Sequence, residues 1–178
     1  VTINGAARIT QGNVRATNGI VHAINAVIPI PTVVTFVTSD YNLANLRTAL
    51  TRNDLTVNYV NILSTQTESA PAPFTVFAPT DDAFSALPAI PAEEPLTQVL
   101  LYHVVGGNVT SSDLTNPGET TAETLQGDSI TITLPGSEGT IANVTDASGA
   151  SDIGIVAVDV QAGNGVIHVL NKVMIPNL

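Results

Sequence analysis

The sequence predicts an α+β fold. Apolar residues at helical spacing gather toward the first half of the chain, strand-like alternation dominates the second, and one Asn-Gly-led apolar run occurs twice. That run, Asn18-Gly-Ile-Val-His-Ala-Ile-Asn-Ala-Val-Ile-Pro29, returns 146 residues later as Asn164-Gly-Val-Ile-His-Val-Leu-Asn-Lys-Val-Met-Ile-Pro176. A repeat distance of that size is one domain long. It predicts a complete domain over 32–178, preceded over 1–31 by the closing segment of another.

Residues 1–31 alternate around Ile3, Ile9 and Val14, then turn at Asn18-Gly19 into a strand over 20–28. Both residues of an Asn-Gly pair tolerate positive φ, which suits a tight hairpin. Pro29 and Pro31 end the ladder, because proline has no N–H to donate. Leu43, Leu46 and Leu50, behind a Ser39 or Asp40 cap, predict a helix, and 55–63 a second. Residues 64–73 read as a loop, and 74–78 as a strand. Thr80 is placed to cap a short helix whose first turn holds Asp81 and Asp82, where carboxylates suit the helix N-terminus. Pro88 and Pro91 delimit a loop; Glu93, Glu94 and Pro95 open a helix to about 105, stopped by Gly106-Gly107. Strands are predicted over 108–111, 121–125, 129–134, 140–144, 154–160 and 166–175. The last is apolar on both faces, as a central, buried strand must be.

Charge narrows the function. The net charge is −10, and no Lys or Arg occurs between Asn53 and Asn171. Such a surface repels phosphate backbones and anionic lipid, so nucleic acid and membrane insertion are not expected. With no Cys there is neither a disulfide nor a thiolate metal site. A Gly-rich phosphate loop, a nucleophile elbow and a metal-spaced His pair are all missing from the sequence, so no catalytic residue, metal or cofactor is predicted. The Thr-, Ser- and Asn-rich polar surface, with a single Lys, suits an extracytoplasmic protein: secreted, at the cell surface or periplasmic. Asn108-Val-Thr and Asn143-Val-Thr match the N-glycosylation pattern.

Three segments, in order, resemble the fasciclin domain family. Thr75-Val-Phe-Ala-Pro-Thr-Asp-Asp-Ala-Phe84 is similar to its first signature, Leu101-Tyr-His-Val-Val105 to its central Tyr-His segment, and the run from Asn164 to Pro176 to its closing signature. The resemblance covers about 31–178, and 1–29 resembles the end of a preceding fasciclin domain. It implies a wedge of two β-sheets flanked by short helices. It also implies a non-catalytic adhesion or interaction module of a tandem protein, whose partners are other proteins, surface glycans or an adjacent fasciclin-like domain. A structural spacer of an envelope or matrix assembly, or a small-ligand-binding domain, is the alternative.

The resemblance implies a structural signature of Thr75, Phe77, Pro79, Thr80, Asp81, Phe84, Asn164, Gly165 and His168, and a candidate interaction pair in Tyr102 and His103. Read from the residues alone, His168 is a neutral core histidine bonded to a backbone carbonyl or to a group near Thr80–Asp82, tying the first and last signature segments, and Tyr102 packs inward with its hydroxyl at the surface. Left uncovered, the 20–28 strand would expose a large apolar surface. It is expected to pack on the following domain, to pair with another chain, which would make a homo-oligomer, or to have lost a domain it once completed.

Overall fold

The computed structural model describes residues 2–3, 7–28, 30–55, 57–64, 73–87, 93–137 and 139–177. The proline loop at 88–91 and most of the 64–73 loop lie outside them. No helix among the described residues is long and apolar enough to cross a membrane.

Seven strands form one hydrogen-bonded sheet in the order β5-β4-β10-β9-β8-β7-β6. They are β4 (Phe74–Pro79), β5 (Val104–Gly106), β6 (Gly118–Glu123), β7 (Ser129–Leu134), β8 (Ala142–Thr145), β9 (Ile153–Ala162) and β10 (Gly165–Leu170). All six residues of β4 are buried, and β10 lies parallel beside it, pairing Gly165 with Phe74 and His168 with Phe77. The other neighbouring pairs are antiparallel.

The two ends of this sheet meet. Val105 bridges Thr124, and the Leu125 N–H donates to Val104 O (2.7 Å). The sheet is thus rolled, and the two walls of the wedge belong to one continuous ladder. One core lies inside the roll, where Phe77, Tyr102, Ile130, Ile132, Ile155, Leu170 and Met174 pack together. The second lies between β4–β10 and the helices, around Val33, Val37, Leu43, Leu46, Phe74 and Leu96.

The helices are α1 (Val33–Ser39), α2 (Ala44–Leu50), α3 (Tyr59–Ser64), α4 (Asp81–Ser85) and α5 (Glu93–Tyr102). Of these, α1 is not among the helices the sequence predicts. Its β-branched residues disfavour a helix, but the Thr32 side chain caps it and Val33, Val34 and Val37 are buried, so packing outweighs propensity. The strand expected over 108–111 is instead an irregular stretch running into a 3-10 turn over Ser111–Asp113. The closing strand stops at Leu170, and 171–177 continue as an irregular tail that buries Val173 and Met174.

A separate three-stranded sheet precedes the domain: β1 (Thr2–Ile3), β2 (Ala7–Ala16) and β3 (Gly19–Ile24). The hairpin predicted at Asn18-Gly19 forms but turns one residue earlier, with Ala16 opposite Gly19, and the repeat at Asn164-Gly165 turns in the same way, with Ala162 opposite Gly165. The chain joins the domain where the Gly163 N–H donates to Pro31 O (2.8 Å).

Candidate functional site

The first and last signature segments meet along the β4–β10 pair. Thr75 is fully buried on β4, and its hydroxyl donates to Gly107 O and accepts from the Val109 N–H, both at 2.8 Å. This pins the 107–109 backbone, which then receives the next contact: His168 Nε2–H donates to Val109 O (2.9 Å). The other ring nitrogen, Nδ1, accepts from the Asp159 N–H (3.4 Å), and the ring lies 5.5 Å from that of Phe77. Replacing Thr75 with Val keeps the shape and strands both backbone groups. Urea denaturation is expected to show a loss of about 1–3 kcal/mol.

At the other end of β4, Pro79 closes the strand and the Thr80 N–H donates to Leu170 O (3.0 Å). The Thr80 hydroxyl accepts from the Ala83 N–H (3.3 Å), capping α4, and Phe84 is buried below. Asp81 Oδ1 accepts from the Asn45 N–H (2.7 Å), tying α4 to the start of α2. Thr80→Ala removes the cap and is expected to cost about 1 kcal/mol in the same assay.

Asn164 joins three segments. Its Oδ1 accepts from the Val33 N–H (2.9 Å), its Nδ2 donates to Leu63 O (2.6 Å), and its carbonyl accepts from the Phe74 N–H (3.0 Å). Gly165 follows because nothing larger fits: a Cβ there would lie 2.0 Å from Phe74 O.

Tyr102 and His103 face inward. The structure corrects the expected surface hydroxyl: Tyr102 is fully buried, and its OH donates to Ser129 O (3.2 Å) while accepting from the Ala147 N–H (2.8 Å). Burial pushes the phenol up to about 12. His103 Nδ1–H donates to Val99 O (2.7 Å), and Nε2 accepts from the Met174 N–H (3.0 Å). Burial pulls this imidazole down to about 4 against the opposing effect of its bond to Val99, so the ring is neutral. A contact face needs exposed ring atoms, and this pair offers almost none. It fastens α5 to β7, to the 146–150 turn and to the C-terminal tail.

No group of three or more metal-ligating side chains occurs among the described residues. Asp159, Ser111 and His168 are neighbours, but in the wrong order for a nucleophile relay. Ser111 donates both its hydroxyl and its N–H to the Asp159 carboxylate, while the imidazole is bonded to backbone on both sides. Burial alone would raise the Asp159 carboxyl; the Ser111 bonds and the adjacent imidazole outweigh it and hold it below the usual range. Asp159 thus serves as an anchor for the 111–113 turn.

A groove of about 460 Å³ runs between the helices and the sheet, with Phe36, Val156 and Val160 along it and Asp40, Asp81 and Asp82 among its lining. Asp40 and Asp81 are already bonded to backbone N–H groups. Of the two glycosylation-pattern residues, Asn108 is exposed, while the Asn143 amide is bonded to Ser137 and Thr140.

The fasciclin domain family model matches residues 39–176. The chain belongs to the fasciclin domain family. It is 32% identical over 152 residues to the Synechocystis protein sll1735, covering 82% of this chain and 98% of that one. Human periostin is 29% identical over 185 residues, covering 99% of this chain but only 20% of periostin. The match to Synechocystis sll1483 is 37% identical over 116 residues, 61% of this chain and 58% of that protein. Among solved structures, a FAS1 domain pair from the insect cell adhesion molecule fasciclin I superposes with a TM-score of 0.63 at 23% identity, covering 97% of this chain and 60% of that one. This last likeness shows the fold.

Proposed function

We propose that this fasciclin chain is a non-catalytic, extracytoplasmic interaction module of a tandem protein, acting through contacts with other proteins or surface glycans. The observation that carries the reading is where the signature polar groups are spent. Thr75, Thr80, Asn164, His103 and His168 hold backbone segments together and leave no ring nitrogen or hydroxyl aimed at a ligand. Recognition then falls to loops on a rigid frame.

Two loops suit that role. The 110–117 segment carries a Thr110/Asp113 capping box and is anchored by Asp159. The second is the pair of turns flanking β8, at 136–141 and 146–151, braced on one side by Ser137, Thr140 and Asn143 and on the other by Asp146, whose Oδ1 accepts from the Ser148 and Ala150 N–H groups. Such pre-ordered loops lose little entropy on binding. The insect relative is a cell adhesion molecule by its own description.

The test is to immobilise the full chain and present a glycan array and purified matrix proteins. Binding that is lost when 112–116 and 147–151 are replaced by Gly-Ser sequence, with stability unchanged, is the expected result. Binding that survives both replacements contradicts it.

A further inference from the structure

The N-terminal hairpin is built to the plan of β9–β10. Its five Cα pairs, Ala16 with Gly19, Arg15 with Ile20, Val14 with Val21, Gln11 with Ala23 and Ile9 with Ile24, each become a β9–β10 pair when 146 is added to both numbers. The irregularities coincide as well. Asn13 and Asp159 are the two non-glycine residues with positive φ among the described residues (57° and 59°). Their N–H groups donate to Nδ1 of His22 (3.2 Å) and of His168 (3.4 Å). Asn25 Oδ1 accepts from the Arg8 N–H as Asn171 Oδ1 does from the Gly154 N–H, both at 2.7 Å.

What differs is the surroundings. In the domain, the free side of β10 is taken by β4, Asn164 bonds Val33 and Leu63, His168 Nε2 bonds Val109, and Gly165 lies against the Phe74 carbonyl. In the hairpin, β3 is an edge strand, and Asn18 and His22 are exposed. A Cβ on Gly19 would meet nothing within 4 Å, and its φ is not in the left-handed region. Neither crowding nor turn geometry within the hairpin asks for glycine there. Ile20 and Val21, whose counterparts Val166 and Ile167 are fully buried, are 60% and 56% exposed.

We infer that the outer edge of β3 is a strand-acceptor site. Its occupant is a β4-type strand, apolar on both faces, running parallel to Gly19–Ile24 with a backbone carbonyl against Gly19. That strand belongs to a fasciclin unit that lacks its own closing hairpin and lies ahead of this one in the same protein. Asn18, Gly19 and His22 set the register: the first reaches for an adjoining segment, the second admits the carbonyl, and the Nε2–H of the third seeks a backbone acceptor. Strand addition at a sheet edge supplies such main-chain bonds, and an uncovered apolar edge otherwise invites aggregation. The inference is independent of the adhesive reading, because its test is a folding measurement that needs no ligand.

The experiment places a second copy of residues 32–152 directly ahead of Ala7 in the full chain, so that Ala7 follows Asp152 as Ile153 does in the domain. Arg8→Gly is included, because a side chain at the matching Gly154 would strike Thr140 Cγ2 at 2.2 Å. Amide hydrogen exchange is compared with the unextended chain. The Gly19–Ile24 amides are expected to slow by at least about 100-fold, the added segment to show protected amides of its own, and Gly19→Val to abolish both effects while leaving 32–178 protected. In the unextended chain, Gly19→Val changes nothing. Unslowed exchange over Gly19–Ile24, an unprotected added segment, or indifference to Gly19→Val each overturns the inference. So does a concentration-dependent dimer of the unextended chain with protected Gly19–Ile24 amides, since the occupant would then be a second copy.

Discussion

Gly165→Ala is expected to cost more than about 4 kcal/mol, enough to unfold a domain of ordinary stability, whereas Gly19→Ala in the other copy of the motif is expected to change stability by about 0.5 kcal/mol or less. The sequence around the two glycines is nearly the same, so local propensity does not separate them. The neighbouring strand does. A Cβ on Gly165 would approach Phe74 O to 2.0 Å and Phe74 C and N to 2.9 Å. These are backbone atoms, and relief would require β4 to move away from β10. Both strands are held: the Phe74 N–H by Asn164 O, the Thr80 N–H by Leu170 O, and the far side of β4 by β5. Urea denaturation of the two variants is the comparison. Equal losses would mean that β4 can move away from β10 at little cost.

Acid is expected to weaken the fold first through His103. In the folded chain this imidazole takes up a proton only near pH 4, whereas in the unfolded chain it does so near the ordinary 6.5. Between those values the unfolded state binds more protons, so stability falls as pH drops from about 6.5 to about 4 and this contribution levels off below. The loss attributable to the ring is on the order of 3 kcal/mol. His103→Leu removes the titration but strands the Met174 N–H and the Val99 carbonyl, at an expected cost of about 2–5 kcal/mol at neutral pH. The variant is therefore expected to be less stable at pH 7 and to lose less further stability between pH 6.5 and 4.5. Urea midpoints at a series of pH values give both results. A variant as pH-sensitive as the parent would remove His103 from the account.

The segregation of helices and strands was legible in the sequence because apolar period follows secondary structure: 129–134 was predicted with the bounds at which β7 is found. The Thr80 cap was legible for a similar reason, since capping is decided within four residues. α1 was not. Val33-Val-Thr-Phe-Val-Thr-Ser39 reads as strand by propensity, and its helix exists because Val33 and Val37, one turn apart, are buried and Asn164, 131 residues away, bonds its first N–H. The spacing of those two valines behind Thr32 was the available signal. The 108–111 stretch misled in the opposite way: Val109 alternates like a strand residue, but its N–H and C=O are claimed by Thr75 and His168, which no local pattern shows. Tyr102 was legible as a core residue, but the depth of its hydroxyl and the interior place of His103 were not. Whether a Tyr-His pair at a helix end faces solvent depends on Ser129, Ala147 and Met174, all distant in sequence.

The central claim is that the signature side chains are interior fasteners, with recognition left to the loops. Imidazole nitrogen NMR on the full chain at pH 7 tests it most directly. The account predicts two interior rings fixed in opposite tautomers, with a proton on Nδ1 of His103, where it faces Val99 O, and on Nε2 of His168, where it faces Val109 O. Either ring averaging freely between tautomers, or shifting when a divalent metal is added, would contradict it.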